Sequence, residues 1–353
     1  MIQRKKTRKI KVGDIFIGGN APISVQSMTK TDTRDVKAIV KQIKELEKIG
    51  CEIIRVAVPD MKAARALGQI KRQISIPLVA DIHFSAELAL EAINQNIDKL
   101  RINPGNIGNE EKIKAVVLAA QKKKIPIRIG INAGSLEKDL LLKYSGQATA
   151  EAMAESAMRH IKILEKYNFQ DIVISLKASD IARTLAAYRL LSQKVDYPMH
   201  LGVTEAGTAF RGTIMSAIGL GILLEEGIGD TVRVSLSAPP EEEVRAAWEI
   251  LKSLEIRKRG VTITSCPTCG RTEIDLVELA EKVEKATWSI DKDIHLAVMG
   301  CVVNGVGEAR EADLAIIGGK KVGLIVKKGE IVKKVPEKKL FDEFIKELEK
   351  LIK

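Results

Sequence analysis

KLRINPGNIGNEEKIKAVVLAAQKKKIPIRIGIN, residues Lys99 to Asn132, holds one full repeat of the pattern that decides the fold. Lys99–Asn103 is a short strand-like stretch that ends in polar residues before a Pro-Gly turn. Asn109–Lys123 sets its apolar residues at helical spacing, and Ile125–Asn132 is again a β-branched run with a polar end. The same phrase recurs from Ile23 to about Pro240, with strands expected at Ile23–Thr29, Glu52–Val58, Leu78–His83, Lys99–Asn103, Ile125–Asn132, Asp171–Lys177, Met199–Glu205 and Thr231–Ser237. Between the first two, Asp35–Gly50 carries Val36, Ile39, Val40, Ile43, Leu46 and Ile49 on one stripe; Ala148–Tyr167 behaves similarly. Eight alternating units with nearly continuous apolar strands predict an α/β chain with a closed parallel (β/α)8 TIM-type barrel, in preference to an open doubly wound sheet. The fifth interval is the longest, 46 residues, and predicts an enlarged loop around Gly134–Ala150 that acts as a lid. Ahead of the first strand, Lys9–Val12 and Asp14–Gly18 read as a hairpin that seals the barrel floor.

A barrel takes roughly 250 residues, and the chain has 353. Residues 1–256 are therefore assigned to a substrate-binding barrel and 257–353 to a small α+β domain. In the latter we expect strands at Val261–Thr264, Ile294–Val298, Ala312–Ile317 and Val322–Val326, and helices at Ile274–Trp288 and Lys338–Ile352. No apolar run reaches the roughly 18–20 residues of a membrane span, and the basic start lacks a signal-peptide core. A soluble cytoplasmic protein is expected. The formal charge is +11 with 3% aromatic residues. Few aromatics means few stacking platforms, so the excess charge points to an anionic metabolite or an acidic protein partner rather than nucleic acid.

Barrel active sites lie at the C-terminal strand ends. There the sequence places Arg55, Asp81, His83, Arg101, Asn103, Arg128, Ser175, Lys177, His200, Glu205 and Arg233. Period-two alternation puts Arg101 with Asn103, Arg128 with Gly130 and Asn132, and Ser175 with Lys177 on common faces. Cations converging on one mouth cost several kcal/mol each if buried without partners, so an anion is expected among them. Guanidinium forks fit phosphate oxygens, and a multiply charged phosphate ester follows. Taken singly, a strand-end arginine is more often an ion-pair partner, Asp81 pairs with Arg55 or Arg101, and His83 and His200 read equally as capped core histidines. His160, on a charged helix, reads as a surface residue and Cys51 as a small buried hydrophobe. Gly219 and Gly221 mark either tight helix packing or a phosphate loop.

The remaining cysteines form Cys266-Pro267-Thr268-Cys269-Gly270 and, 32 residues after Cys269, Cys301 in Met299-Gly-Cys-Val-Val-Asn-Gly-Val-Gly-Glu308. In a reducing compartment these are metal ligands rather than disulfides. His295, the only nearby histidine, lies about 20 Å from Cys301 along an extended strand, too far to complete a zinc site with them. Three thiolates and a non-thiolate ligand remain, with Glu308 the nearest acid on the same Gly-rich loop; a structural zinc knuckle stays open on spacing alone.

The cysteine loops with Glu308 resemble the cluster signature of the 4-hydroxy-3-methylbut-2-enyl diphosphate synthase family. Val25-Gln-Ser-Met-Thr, Ala80-Asp-Ile-His-Phe, Arg101-Ile-Asn-Pro-Gly-Asn, Ser175-Leu-Lys-Ala-Ser and Leu201-Gly-Val-Thr-Glu-Ala-Gly are similar to it too. The resemblance covers essentially the whole chain, with one departure: Val306 stands where the family usually has proline, which implies a slightly less rigid loop with unchanged chemistry. It implies a [4Fe–4S] cluster on Cys266, Cys269, Cys301 and Glu308. The implied reaction is reductive ring opening and dehydration of 2-C-methyl-D-erythritol 2,4-cyclodiphosphate. Arg55, Arg101, Arg128, Lys177, Asn103 and Ser265 would hold the diphosphate, Asp81 and His83 would add hydrogen bonds, and Glu205 would deliver a proton. A ferredoxin or flavodoxin donor and a homodimer are implied as well. Two other readings differ in outcome. A Schiff-base lyase or aldolase using Lys177, with a structural zinc tail, predicts a colourless protein; a zinc-ribbon nucleic-acid binder predicts salt-dependent binding.

Overall fold

The computed structural model describes residues 2–353, the Asn304 side chain excepted. Two compact units divide it, one up to Arg257 and one from Lys258 onward. The first opens with the hairpin β1 (Ile10–Val12) and β2 (Ile15–Ile17), then runs β3 (Ser24–Met28), α1 (Val36–Lys48), β4 (Ile53–Ala57), α2 (Met61–Lys71), β5 (Leu78–Asp81) and α3 (Ala86–Asn94). It continues through β6 (Lys99–Ile102), α4 (Glu110–Lys123), β7 (Ile127–Asn132), α5 (Lys138–Lys143), α6 (Ala150–Glu165), β8 (Ile172–Lys177) and α7 (Ile181–Ser192). The last turns are β9 (His200–Leu201), α8 (Ala209–Glu225), β10 (Thr231–Val232) and α9 (Pro240–Ser253).

All eight expected strands are present, in the order β8-β7-β6-β5-β4-β3-β10-β9, every neighbouring pair parallel. The ring closes between β8 and β9 through one bridge, Ile174 to Met199. Tyr188 reinforces that seam: its hydroxyl donates to the His200 carbonyl (2.5 Å) and accepts from the Leu176 N–H (3.1 Å). Helix starts are capped by local chemistry, with Asp35, Asp60, Ser85, Asn109, Thr149 and Asp180 each accepting from a first-turn N–H. Gly219 lies against β9's extension: a Cβ there would come within 3.0 Å of Val203, whereas one at Gly221 would meet nothing within 4 Å. The first glycine therefore serves close packing. The hairpin is the floor, as its pattern predicts: Ile10, Val12 and Ile17 form one buried cluster with Ile53, Val79 and Val173 from the strands. The long fifth loop is tied down onto α6, through Lys143 and Tyr144 to Glu155, Arg159 to Asp139 and Ser156 to Glu137.

The second unit is a five-stranded sheet, β11 (Val261–Ser265), β12 (Ile294–Met299), β13 (Leu314–Ile317), β14 (Val322–Lys327) and β15 (Glu330–Pro336), in that spatial order. The first three run parallel and the last two antiparallel. Helices α10 (Leu276–Thr287) and α12 (Leu340–Ile352) cover one face through Leu276, Val283, Leu340, Phe344 and Leu348. The other face, Ala297, Met299, Ala315 and Ile317, carries Val306 and Ala309 from the region of α11 (Val302–Glu308). Two features depart from the sequence reading. β15 is a strand where none is expected, and the Gly-rich segment after Cys301 is a helix rather than a loop. Val306 therefore sits inside a helix, half-buried against that small-residue face, so loop rigidity is not what the proline position controls here.

The floor plug gives a direct test. Ile17→Ala should cost about 2–5 kcal/mol in denaturant unfolding, since Ile17 is fully buried, while its exposed neighbour Phe16→Ala should cost much less. Equal costs would mean that the hairpin does not plug the barrel.

Candidate active site

Alternation along β4 to β10 directs Arg55, Asp81, Arg101, Arg128, Ser175, Lys177, His200 and Arg233 to one polar, buried interior. Asp81 is the hub. Its carboxylate meets Arg101 Nη1 at 3.0 Å, Arg55 Nε at 3.8 Å and His83 Nε2 at 3.6 Å. Burial alone would raise the Asp81 pKa, but Arg55, the His83 hydrogen bond and Arg101 together hold it well below the usual carboxylate range. Both pairings anticipated for Asp81 thus occur at once. His83 is half exposed at the rim, with Nε2 at 2.6 Å from Arg101. Arg55 also directs Nε and Nη2 at the Met28 sulfur, 3.1 and 2.9 Å away. Burial pushes its pKa down to about 10, leaving it charged near neutrality.

The second acid is one the sequence reading missed. Glu243, in the first turn of α9 and 2% exposed, accepts from Ser27 Oγ (3.2 Å) and the Leu236 N–H (3.1 Å), and lies 3.4 Å from Arg233. Lys99 was missed too. It points inward in phase with Arg101, is fully buried, and among the described residues reaches only Gln26 Oε1 at 3.5 Å. Burial first, then Arg128 and Arg55, press its proton affinity well below that of an ordinary lysine. Lys177 is depressed in the same way by burial, Arg233 and Arg128.

Several donors in this interior have no partner among the described residues: Arg101 Nε, Arg128 Nε and Nη1, and Arg233 Nε, with the acceptor Asn103 Oδ1 beside them. Room for Arg101 comes from Gly130, where a Cβ would sit 2.5 Å from Arg101 Nε. An unpaired guanidinium at 1% exposure, as at Arg128, is costly without an anion. The interior is thus built for a polyanion.

Not every expected residue has free chemistry. Ser175 Oγ donates to the Ile129 carbonyl at 3.4 Å. His200 is fully buried, with Nδ1 2.7 Å from Thr231 Oγ1; burial, then Arg128 and Lys177, hold its pKa far below the usual value, so it is neutral. Glu205 is exposed beyond β9 in the left-handed region, φ 55°, a strained conformation for a non-glycine residue. His160 corrects the surface reading: it is 2% exposed, its Nε2 is 3.0 Å from Glu137, and its Nδ1 accepts the Gly105 N–H at 3.2 Å. It therefore props the Pro104–Asn106 turn from behind. Cys51 is the buried hydrophobe expected, its thiol pushed up to about 12 by burial.

Ser265, the cysteines and Glu308 belong to the second unit. Ser265 ends β11 in register with Val298 of β12, which sets Cys266 beside the segment leading to Cys301. The Gly300 N–H donates to Cys266 Sγ at 3.3 Å. Cys269 is exposed in a turn where its N–H donates to Thr272 Oγ1 at 3.0 Å, and a hydrogen bond from the Arg271 backbone lowers its thiol pKa. Such N–H···S contacts and thiolate-favouring surroundings suit iron–sulfur ligation. Among the described residues no three His, Cys, Asp or Glu side chains are gathered as for a single metal ion; the ligands of a multi-iron cluster stand further apart. Glu308 ends α11 rather than lying on a loop. It lies seven positions from Cys301, the extended N-cap residue of the same helix, about 10 Å along the axis at ~1.5 Å per residue. His295 is engaged elsewhere, by Thr264 Oγ1 (2.8 Å) and the Glu311 carbonyl (3.1 Å).

Comparison with known proteins matches residues 7–248 to the GcpE TIM-barrel domain and residues 262–350 to the GcpE protein C-terminal domain. The chain is 59% identical to the 4-hydroxy-3-methylbut-2-en-1-yl diphosphate synthase (flavodoxin) of Geobacter sulfurreducens, covering 99% of both chains. It is also 59% identical to the protein of that name from Caldanaerobacter subterraneus subsp. tengcongensis, covering 99% of this chain and 98% of the relative. Among solved structures, the N-acetylneuraminic acid synthetase of Leptospira borgpetersenii aligns with a TM-score of 0.51 at 14% identity, over 79% of this chain and 96% of that one. The dihydropteroate synthase of Yersinia pestis aligns at 0.50 and 11%, over 70% and 97%. These distant likenesses show the fold alone.

The strain of uncompensated charge is measurable. Arg128→Met should raise the melting temperature of the ligand-free protein, since it removes an unpaired buried cation in favour of an apolar side chain. The same change should abolish the stabilisation that added pyrophosphate gives the wild type. A variant that melts lower yet still responds fully to pyrophosphate would remove Arg128 from the anion site.

Proposed function

Since the chain belongs to the GcpE family of 4-hydroxy-3-methylbut-2-en-1-yl diphosphate synthases, we propose that it reductively opens 2-C-methyl-D-erythritol 2,4-cyclodiphosphate at a [4Fe–4S] cluster. The single observation that carries the substrate side is the interior of unpaired guanidinium donors around Asp81. Two electrons enter, a ring carbon–oxygen bond breaks, and one hydroxyl leaves as water, giving (E)-4-hydroxy-3-methylbut-2-enyl diphosphate.

Arg101, Arg128 and Arg233, with Arg55 and Lys177, bind the diphosphate. Asp81 orients Arg101 and Arg55 while Glu243 anchors Arg233. Lys99 lies deeper, its proton affinity lowered by burial and by Arg128 and Arg55, and a bound anion would favour its charged form. Asn103 and His83 offer further hydrogen bonds. The donor set of Cys266, Cys269, Cys301 and the carboxylate of Glu308 fits the cluster: three thiolates and one exchangeable oxygen. When bound, the cluster supplies electrons singly and an iron open to substrate oxygen as a Lewis acid. Glu205, exposed and held in a strained turn, delivers the proton to the departing hydroxyl.

The donor is a flavodoxin, as in the names of the relatives, with ferredoxin the second candidate. A homodimer is supported by α8, whose Phe210, Ile214, Ile218 and Ile222 line one exposed apolar face that a second copy would cover. No helix among the described residues is long and apolar enough to cross a membrane. The reducing cytoplasm suits open thiolates. A Lys177 Schiff base is disfavoured by the family assignment.

Anaerobically purified wild type should contain one equivalent of a [4Fe–4S] cluster, with a broad visible absorption that Cys301→Ala abolishes. One zinc and no acid-labile sulfide would sink this reading. Glu205→Gln should keep the cluster spectrum but lower turnover at least about tenfold, a threshold set below the ~10²-fold typical of a lost proton donor; full activity would move proton delivery to another group.

A further inference from the structure

Residues 320–339 read KKVGLIVKKGEIVKKVPEKK, four Lys-Lys pairs with eight lysines against two glutamates. This short stretch concentrates a charge of +6 out of the chain's +11. The fold turns it into a ribbon, β14 and β15, at the edge of the second unit's sheet. Lysines on an edge strand ordinarily serve to prevent pairing with other chains. That accounts for Lys334, and Lys333 is further occupied by Glu343 and Glu347. It does not account for Lys320–Lys321 and Lys338–Lys339, which lie off the strands.

Those two pairs share one end of the ribbon: Val322 is in register with Pro336, and the Glu337 N–H donates to the Lys321 carbonyl at 3.3 Å. That end is also the cysteine end. Ile317, which closes β13, is in register with Met299, two residues before Cys301, and the Gly318 N–H donates to the Met299 carbonyl at 2.6 Å. Two strand spacings, about 10 Å, separate the end of β12 from the start of β14. All four lysines are exposed, and none pairs with an acidic side chain among the described residues. Val302, Val303 and Val322 are exposed at the same end, 47%, 65% and 43%. An apolar centre with a basic rim is the composition of a transient docking surface for an acidic protein.

We propose that this end of the ribbon, Lys320, Lys321, Lys338 and Lys339 around Val302, Val303 and Val322, is the landing surface for an acidic flavodoxin. The proposal rests on the cluster reading above and adds the place where electrons enter. Each encounter oxidises the anionic flavodoxin hydroquinone to its neutral semiquinone, passing one electron to the cluster while the flavin keeps its N5 proton. Two encounters supply one turnover. The surface commits the remaining pair, Lys327–Lys328 at the far turn of the ribbon, to no part in it.

The test uses the full-length holoenzyme with all four lysines changed to glutamate (K320E, K321E, K338E and K339E together). Calorimetric titration with flavodoxin at low ionic strength should show Kd raised at least about tenfold and its salt dependence flattened, as for lost rim charges. The milder change of all four to glutamine should move Kd the same way by less. Turnover driven by reduced methyl viologen should stay at the wild-type level, which certifies fold and cluster. The control K327E/K328E should keep wild-type Kd. An unchanged Kd in the quadruple variant overturns the assignment. So does a loss confined to anionic vesicles or an oligonucleotide with flavodoxin affinity intact. Wild type that binds flavodoxin but holds no cluster and shows no viologen-driven turnover overturns the cluster reading and this proposal with it.

Discussion

Like charges gathered out of water are the constraint on which the barrel half of this protein depends. Arg55, Lys99, Arg101, Arg128, Lys177 and Arg233 all turn into one interior, where Asp81 and Glu243 are the acids that meet the arginines. Water cannot screen them there, so each must find another way to live with the rest. The lysines lose proton affinity, Arg55 turns to a polarisable sulfur, and Asp81 divides itself among three neighbours. What is left over is attraction for a polyanion. The apolar shell of β-branched strand residues and the sealed floor keep the arrangement rigid, because a side chain free to swing outward would relax the repulsion and the attraction together.

Most of this was legible in the sequence because strand phase is a rigid rule. Once Arg101 and Asn103 share a face, Lys99 must as well, and only its position at the strand's first residue hid it. His160 was legible in principle too. It falls on the buried stripe of α6 with Met153, Ala157, Ile161 and Leu164, but charged neighbours drew attention to the wrong face. Glu243 is harder. It is the last of three consecutive glutamates, and only the helical phase of α9 selects it for burial.

The second unit was less legible for a different reason. Val302–Glu308 contains two glycines and three valines, a poor helix by propensity. It is helical because the small side chains of Ala297, Ala315 and their neighbours give it a surface to pack on. β15 hides its alternation behind a lysine pair and ends in proline, features tolerated only at a sheet edge. Both are cases in which tertiary surroundings outweigh local preference. The cysteines are placed by the sheet: Cys266 directly follows β11 and Cys301 lies two residues past β12, its parallel neighbour.

The hairpin under the barrel has a kinetic meaning. With Ile10, Val12 and Ile17 packed under the strands, the floor of the barrel is closed and ligands reach its polar residues from the C-terminal strand ends. A product retaining both phosphoryl groups has no rear exit and must retrace the path by which its precursor came in. On the proposed function, occupancy by either one would exclude the other, so accumulating product would compete with incoming substrate.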